Sequence, residues 1–316
     1  HTGTGDTLCT KEQQVTLPPI SFPSPVYSMA LRPTSKAGVD KLGPSLQRLV
    51  EEDPGLQLSR EGTGEIVLAG LGDAHLDVTI ERLRRKFNVD VELALPRVPY
   101  RETISKKATG DYTHKKQTGG HGQYARVAIE VNPLPRGSGL RFTERVVGGS
   151  VPKEFIPAVD KGVHETAGSG VFAGYELTDC EVVLYDGKHH PVDSSEMAFK
   201  LAASQALKDA VNDAGPTLLE PIMKIKVFAP DDHAGDVVSD LNTKRAKIHG
   251  ISPDGGMSIV EAEVPLAEVQ RYASDLRSIT QGRGAFELEF DHYGEVPSHL
   301  AQKVIDSHKK ELEEAH

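Results

Sequence analysis

Apolar side chains recur along the chain in three blocks, and the first and last follow the same order. In the first, Tyr27 to Leu31 suits a strand, and Val39, Leu42, Leu46 and Leu49 then recur at helical spacing up to Glu51-Glu52-Asp53. Pro44 lies inside that pattern, so a kink or a helix start is expected there. Leu56 to Arg60 and Glu65 to Ala69 flank the turn signal Gly62-Thr63-Gly64. Asp73 opens a second helix with Leu76, Ile80, Leu83 and Phe87 on its apolar face, and Val89, Val91 and Leu93 alternate as a closing strand. Strand, helix, strand, strand, helix, strand is the split βαβ, or ferredoxin-like, order: an antiparallel sheet with two helices on one face.

The last block repeats it. Met223, Ile225 and Val227 alternate, Val237, Val238 and Leu241 mark a helix, and Asp254-Gly255-Gly256 supplies a hairpin turn before a strand from Ile259 to Val264. Leu266, Val269, Tyr272 and Leu276 predict the second helix, and Phe286, Leu288 and Phe290 the closing strand. Between the two lies a further α+β segment. It has strands around Tyr124 to Val131, Leu140 to Val147 and Thr178 to Tyr185, and helices from Lys153 and from Ser194. Asp193-Ser194-Ser195-Glu196 reads as a capping box for the second helix. A Pro-rich linker, Leu17 to Pro25, precedes the first block. An amphipathic helix with Leu300, Val304 and Ile305 on one side starts at Pro297-Ser298 and is expected to fray into Glu311 to His316.

Composition narrows the function. The 316 residues are 38% hydrophobic and 26% charged, enough for two or three cores, so the expected class is α+β with several domains. A formal charge of -10 rules out a polycation that coats nucleic acid, so any RNA contact must be local. Two cysteines, Cys9 and Cys180, with no CxxC pair support neither a disulfide framework nor a thiolate zinc site. A soluble, unexported, cytoplasmic protein is expected, since no apolar run approaches the roughly 20 residues of a membrane helix and no signal segment opens the chain. Starting at His1 without an initiator Met, and running into the Gly/Thr-rich Thr2 to Thr7, the sequence reads as a piece of a longer polypeptide.

The strongest candidate chemistry is the acid-free stretch from His114 to Arg126. Lys115, Lys116 and Arg126 bracket Gln117, Thr118, Gly119, Gly120, His121, Gly122 and Gln123, and the three glycines expose backbone N–H groups suited to phosphate or RNA. A solvated hairpin is the plain alternative. A second loop, Asp186 to Pro191, carries Lys188, His189 and His190; adjacent histidines diverge and no third ligand joins them, so donors and stacking surfaces are expected rather than zinc. Placed at one end of a domain, the two loops form a single basic, histidine-bearing tip. His164-Glu165 lacks the second His of HExxH, and no GxGxxG or GxxxxGK[ST] cradle occurs. His75 reads as a structural histidine, and Lys244, Arg245 and Lys247 as charges at a helix end, with RNA contact as a second reading.

Six blocks then stand in one family's order: Gly70 to Asp77 (GLGDAHLD), Val98 to Ile104 (VPYRETI), Lys115 to Gly120 (KKQTGG), Val192 to Lys200 (VDSSEMAFK), Leu219 to Met223 (LEPIM) and Ala262 to Leu266 (AEVPL). With them the chain resembles the C-terminal part, domains III to V, of bacterial elongation factor G, a translational GTPase. The resemblance implies a tail of β-barrel domain II and linker over 1–18, a ferredoxin-like domain III over 19–95 and a ribosome-inserting arm, domain IV, over 96–219. Domain IV is implied to be α+β of the ribosomal-protein-like type, followed by a ferredoxin-like domain V over 220–296 and a C-terminal helix over 297–316.

It further implies a monomer that binds the ribosome. The domain IV tip would enter the decoding site among ribosomal RNA, tRNA and mRNA, with His190 at the codon-anticodon region, and domain V would lie near the stalk base. The role implied is tRNA/mRNA translocation, with no catalytic residue, metal or cofactor in this piece; GTP and magnesium belong to a GTPase domain outside it. His121, Ala125 and Pro191 stand where the main factor usually has Arg, Gly and an acidic residue. The combination Gln117 to Tyr124 (QTGGHGQY), with Asp291-His292-Tyr293 near the end, is more similar to the divergent elongation factor G-like paralogues. Ribosome recycling or a specialised task is the alternative within the family. A small-molecule kinase-like phosphate site is the alternative outside it, set back by the lack of a catalytic carboxylate tied to the Gly-rich loop.

Overall fold

A computed structural model describes residues 2–60, 64–117 and 122–314. Before Tyr27 the described residues form no helix or strand, and between Leu17 and Pro25 the ring-locked prolines account for it. The chain forms two compact units, one of residues up to Pro99 with Ile222–Asp291, the other of Tyr100–Pro221 with the chain from His292. Among the described residues no helix is long and apolar enough to cross a membrane.

The first unit holds two modules of one topology. The first comprises β1 (Tyr27–Pro33), α1 (Lys36–Glu52), β2 (Gln57–Arg60), β3 (Ile66–Gly70), α2 (Asp73–Phe87) and β4 (Val91–Ala94), with sheet order β2-β3-β1-β4. β2 pairs antiparallel with β3, as a hairpin requires, although the expected turn at Gly62-Thr63 lies outside the described residues. Leu42, Leu46 and Leu49 of α1 and Leu76 and Leu83 of α2 bury against Leu31 and Leu68, each contributing roughly 1.5–3 kcal/mol. Val39, grouped with them by spacing, faces solvent. Pro44 does not start α1: Ser35 caps the helix well before it by accepting the Gly38 N–H at 3.2 Å, and the helix runs on through the proline.

The second module is built from the later part of β10 (Pro216–Pro230), α5 (Ala234–Thr243), β11 (Lys247–Asp254), β12 (Met257–Pro265), α6 (Leu266–Val269), α7 (Tyr272–Thr280) and β13 (Ala285–Glu295), in the order β11-β12-β10-β13. Asp254 pairs with Met257 across Gly255 and Gly256, both at positive φ (58° and 91°), which a two-residue hairpin demands. The single second helix expected from spacing is two, broken at Gln270 and Arg271. There the Gln270 amide leaves the helix line and donates to the Pro96 carbonyl at 2.6 Å.

The second unit contains β5 (Arg101–Ile104), β6 (Ala108–Lys116), β7 (Gln123–Pro133), β8 (Leu140–Glu144), α3 (Ile156–Ser169), β9 (Cys180–Lys188), α4 (Glu196–Asp213) and α8 (Ser298–Glu314). Its sheet runs β6-β7-β9-β8, with β8 parallel to β9 through α3 and the other pairs antiparallel. α3 and α4 cover one face. β5 and β6 escape the alternation rule, because β6 turns Gly110, Tyr112 and His114 inward instead of aliphatic residues. The close approach of α4 explains the glycine: a Cβ on Gly110 would sit 2.0 Å from the Ala206 carbonyl oxygen. The buried Ala198, Ala202, Ala203, Ala206 and Ala210 make that approach possible.

The expected capping box does not form. Ser195, not Asp193, is the N-cap of α4, accepting the Ala198 N–H at 3.2 Å, and Glu196 stands at the first helical position where it cannot reach back. Away from the tip end of the sheet, Glu102 of β5 is fully buried and accepts four backbone N–H groups, from Val171 (2.8 Å), Phe172 (2.9 Å), Ala173 (2.6 Å) and Tyr175 (3.0 Å). α8 continues to Glu314, and its Leu300, Val304 and Ile305 pack on Ala173, Tyr175 and Leu218, with His308 stacked on Tyr175 at 4.2 Å.

Candidate nucleic-acid interface

The pairing registers decide which loops meet. Lys116 pairs with Gln123 at the end of β6 and β7, and Arg126 of β7 pairs with Lys188 of β9. The segment after β6 and the segment after β9 therefore emerge at one end of the same sheet. Lys115, Lys116, Gln117, Gly122, Gln123, Lys188, His189 and His190 are brought together there, while Thr118, Gly119, Gly120 and His121 lie outside the described residues.

A polar knot ties the two segments. Gly122 N–H donates to Asp193 Oδ1 (3.0 Å) and Tyr124 N–H to the Asp193 carbonyl (2.8 Å). The Ser194 hydroxyl donates to the Tyr124 carbonyl (2.7 Å) and accepts the His190 N–H (2.8 Å). On the hairpin side, His114 Nε2 bonds Gln123 Oε1 at 2.9 Å, which occupies the Gln123 amide oxygen. Sequence reading missed Asp193 and Ser194 as tip residues because their position before Ser195-Glu196 matches a cap; only the cross-strand register shows what they face.

Charge is distributed unevenly. Lys115, Lys116, Lys188 and His189 are exposed and carry no ion pair among the described residues. Arg126 does not add to them. Its guanidinium lies between Asp111, which it contacts through Nε (2.8 Å) and Nη2, and Asp186 (3.1 Å). The hydrogen bond to Asp111 first, then the fields of Asp111 and Asp186, raise its pKa further above the ordinary arginine value. Asp186 is held below the usual carboxylate range chiefly by the Gly187 N–H, with a contribution from Arg126. The basic surface is thus narrower than the sequence implies, and confined to the loop ends.

The other candidates resolve into structural roles. His75 accepts the Leu71 N–H on Nδ1 (3.1 Å) and meets Asp53 through Nε2 (3.0 Å). Burial pushes the Asp53 carboxyl up, but the bonds from His75 and the Gly55 N–H outweigh it and hold the group low. Lys244 pairs with Asp240 and Asp275, Arg245 with Glu268, and Lys247 stands 3.9 Å from Glu263, so that cluster is neutralised in place. His164 bonds its own helix at Asp160. Among the described residues no three His, Cys, Asp or Glu side chains are grouped to hold a metal.

Three family models match successive stretches: elongation factor G domain III over residues 22–95, elongation factor G domain IV over 96–215, and the elongation factor G C-terminus over 217–304. The chain belongs to the elongation factor G family. These domains mark a member of the translational GTPases, and none of the matched domains is the GTPase domain. A crystal structure of a protein from Thermus thermophilus is similar at 44% sequence identity and a TM-score of 0.80, over 94% of this chain and 46% of that one. The chain therefore spans less than half the length of that relative. In the family's terms, the site lies within the stretch matched to domain IV, and the two modules of equal topology fall in the stretches matched to domain III and to the C-terminus.

Proposed function

We propose that this chain is the ribosome-binding part of a translational GTPase that acts in tRNA/mRNA translocation, with the loop end of its domain IV facing RNA at the decoding site. What supports this reading is one observation: Lys115, Lys116, Lys188 and His189 emerge together, exposed and unneutralised, from a protein of formal charge -10. Such a patch supplies phosphate contacts that position an RNA without reading its sequence. The action is steric and electrostatic. The arm occupies a site and biases movement of the tRNA, while GTP and magnesium chemistry belongs to a GTPase domain outside this chain. Domain V would face the stalk base, and the working form would be a cytoplasmic monomer.

Of the positions that depart from the main factor, Ala125 is fully buried in β7 and Pro191 is exposed at the tip. Pro191 is thus the described departure that alters the RNA-facing surface, and it favours a second reading within the family, a recycling or specialised paralogue. The kinase-like reading has less support, since Gly122 N–H already donates to a carboxylate rather than standing open to phosphate.

Chemical footprinting of ribosomal RNA with this chain tests the proposal. Protection of the small-subunit decoding region, weakened by substituting Lys115 and Lys116 with Gln and falling as salt rises, is the expected result. Protection elsewhere, or protection that the two substitutions leave intact, contradicts it.

A further inference from the structure

We infer that Asp193 is the positioning residue of the tip: it fastens the two loops together and holds His190 so that the ring presents a permanent Nε2–H donor to an acceptor on RNA. This rests on the RNA-facing reading above.

Asp193 uses three groups in three directions. Oδ1 takes the Gly122 N–H, its carbonyl takes the Tyr124 N–H, and its own N–H donates to His190 Nδ1 at 3.2 Å. The Val192 N–H donates to the same nitrogen at 3.3 Å, and Asp193 Oδ2 lies 3.3 Å from it. Nδ1 therefore has a partner in either protonation state. In the neutral ring the two converging backbone donors select the bare lone pair at Nδ1, and in the charged ring the added proton points at the carboxylate. The Tyr124 ring stands edge-on to the imidazole, with centroids 6.2 Å apart, and limits how far it can swing.

The consequence lies at the other nitrogen. A neutral imidazole that accepts at Nδ1 carries its hydrogen on Nε2, and a charged one carries hydrogens on both. Nε2 has no partner among the described residues, and half of the side chain is exposed. The outward edge is a donor in both states and an acceptor in neither. It suits phosphate oxygens, ribose 2′-oxygens and the acceptor edges of unpaired bases, and rejects groups that offer only N–H. Gly122 completes the fit: a Cβ there would come within 3.2 Å of the Asp193 carboxyl carbon, so the loop closes on Asp193 most readily without a side chain.

Nitrogen-15 NMR of the histidine ring nitrogens in the intact chain, with His190→Gln to assign the signals, tests the positioning role without RNA. At a pH where the ring is neutral, the expected spectrum has Nδ1 in the unprotonated class and Nε2 protonated. Asp193→Asn retains that pattern, and so does Asp193→Ala, whose backbone still supplies the Val192 and Asp193 N–H donors while the Gly122 amide signal moves to that of an unbonded N–H. Asp193→Pro, which removes one of the two donors, moves both ring signals toward the averaged values of free imidazole while the amide signals of the β7 core stay in place. An Nδ1–H tautomer in the wild type, an unmoved Gly122 amide signal in Asp193→Ala, or an unchanged ring pattern in Asp193→Pro overturns the inference. In RNA footprinting, His190→Gln, which keeps an outward N–H, retains protection, and His190→Ala weakens it about tenfold, the worth of one hydrogen bond; equal loss in both variants overturns the donor assignment. A chain with the expected tautomer that protects no ribosomal RNA contradicts the proposed function and supports the positioning role.

Discussion

Two carboxylates in the second unit gather backbone N–H groups from a loop, and they do so in opposite surroundings. Glu102 is fully buried and satisfies four N–H groups of the segment 171–175, on which α8 packs. Asp193, 27% exposed at its side chain, takes one loop N–H on its carboxylate and shares the rest of the knot with its own backbone and Ser194. At the first site, burial makes every bond expensive to lose. At the second, water competes for the same bonds, so Gly122 and the segment before α4 are tied together while the outer atoms of the described residues stay open to a partner. One device gives a rigid base and an accessible tip.

Glu102→Ala breaks this contrast most severely. Each buried N–H left without an acceptor costs about 1–3 kcal/mol, so a loss on the order of 4 kcal/mol is expected from urea unfolding, with Glu102→Gln about half as harmful because one oxygen remains. A loss below about 1 kcal/mol for the alanine variant would remove Glu102 from the account. Next comes the shaft between the two ends. Gly110→Ala forces a methyl against the Ala206 carbonyl and is expected to cost about 1–3 kcal/mol, read from the same curves. Asp193→Ala is milder. A global loss of about 1 kcal/mol or less is expected, with faster hydrogen exchange confined to the Gly122 and Tyr124 amides as its distinguishing mark.

A third carboxylate, in the first unit, calibrates the exposed limit. Asp73 on α2 accepts two bonds from Arg277 of α7, at 2.8 and 3.0 Å, and the hydrogen bond from Arg277, followed by the Ala74 N–H, lowers its pKa. A carboxyl lowered on folding stabilises above its unfolded pKa of about 3.9 and loses that contribution as pH falls through the folded value. The pair is exposed, so Arg277→Ala should cost only about 0–1 kcal/mol at neutral pH, with the difference from wild type shrinking below about pH 4. A difference that grew on acidification would reverse the assigned sign.

Both ferredoxin-like modules were legible because their helices and strands carry apolar residues at the periods of their elements, and Gly255-Gly256 marks a turn that only positive φ can make. The middle module was legible only in part. β5 and β6 lack alternation because Gly110 gives way to a helix and Glu102 is satisfied by a loop some seventy residues on, and local sequence encodes neither. The tip shows the same division. Its lysines, glycines and histidines are visible as composition, whereas the neutralisation of Arg126 and the role of Asp193 depend on cross-strand register.

The central claim is that the loop end of domain IV meets RNA at the decoding site. A tethered cleavage probe tests it most directly. Cys180 is buried, with its thiol pushed up to about 12 chiefly by burial, so it should resist labelling, and Cys9→Ser removes the exposed thiol. An iron chelate on His189→Cys in that background is predicted to cut small-subunit RNA around the decoding region and nowhere else on the ribosome. Cuts confined to other regions, or no cuts under conditions where the labelled chain is shown to bind ribosomes, would contradict the account.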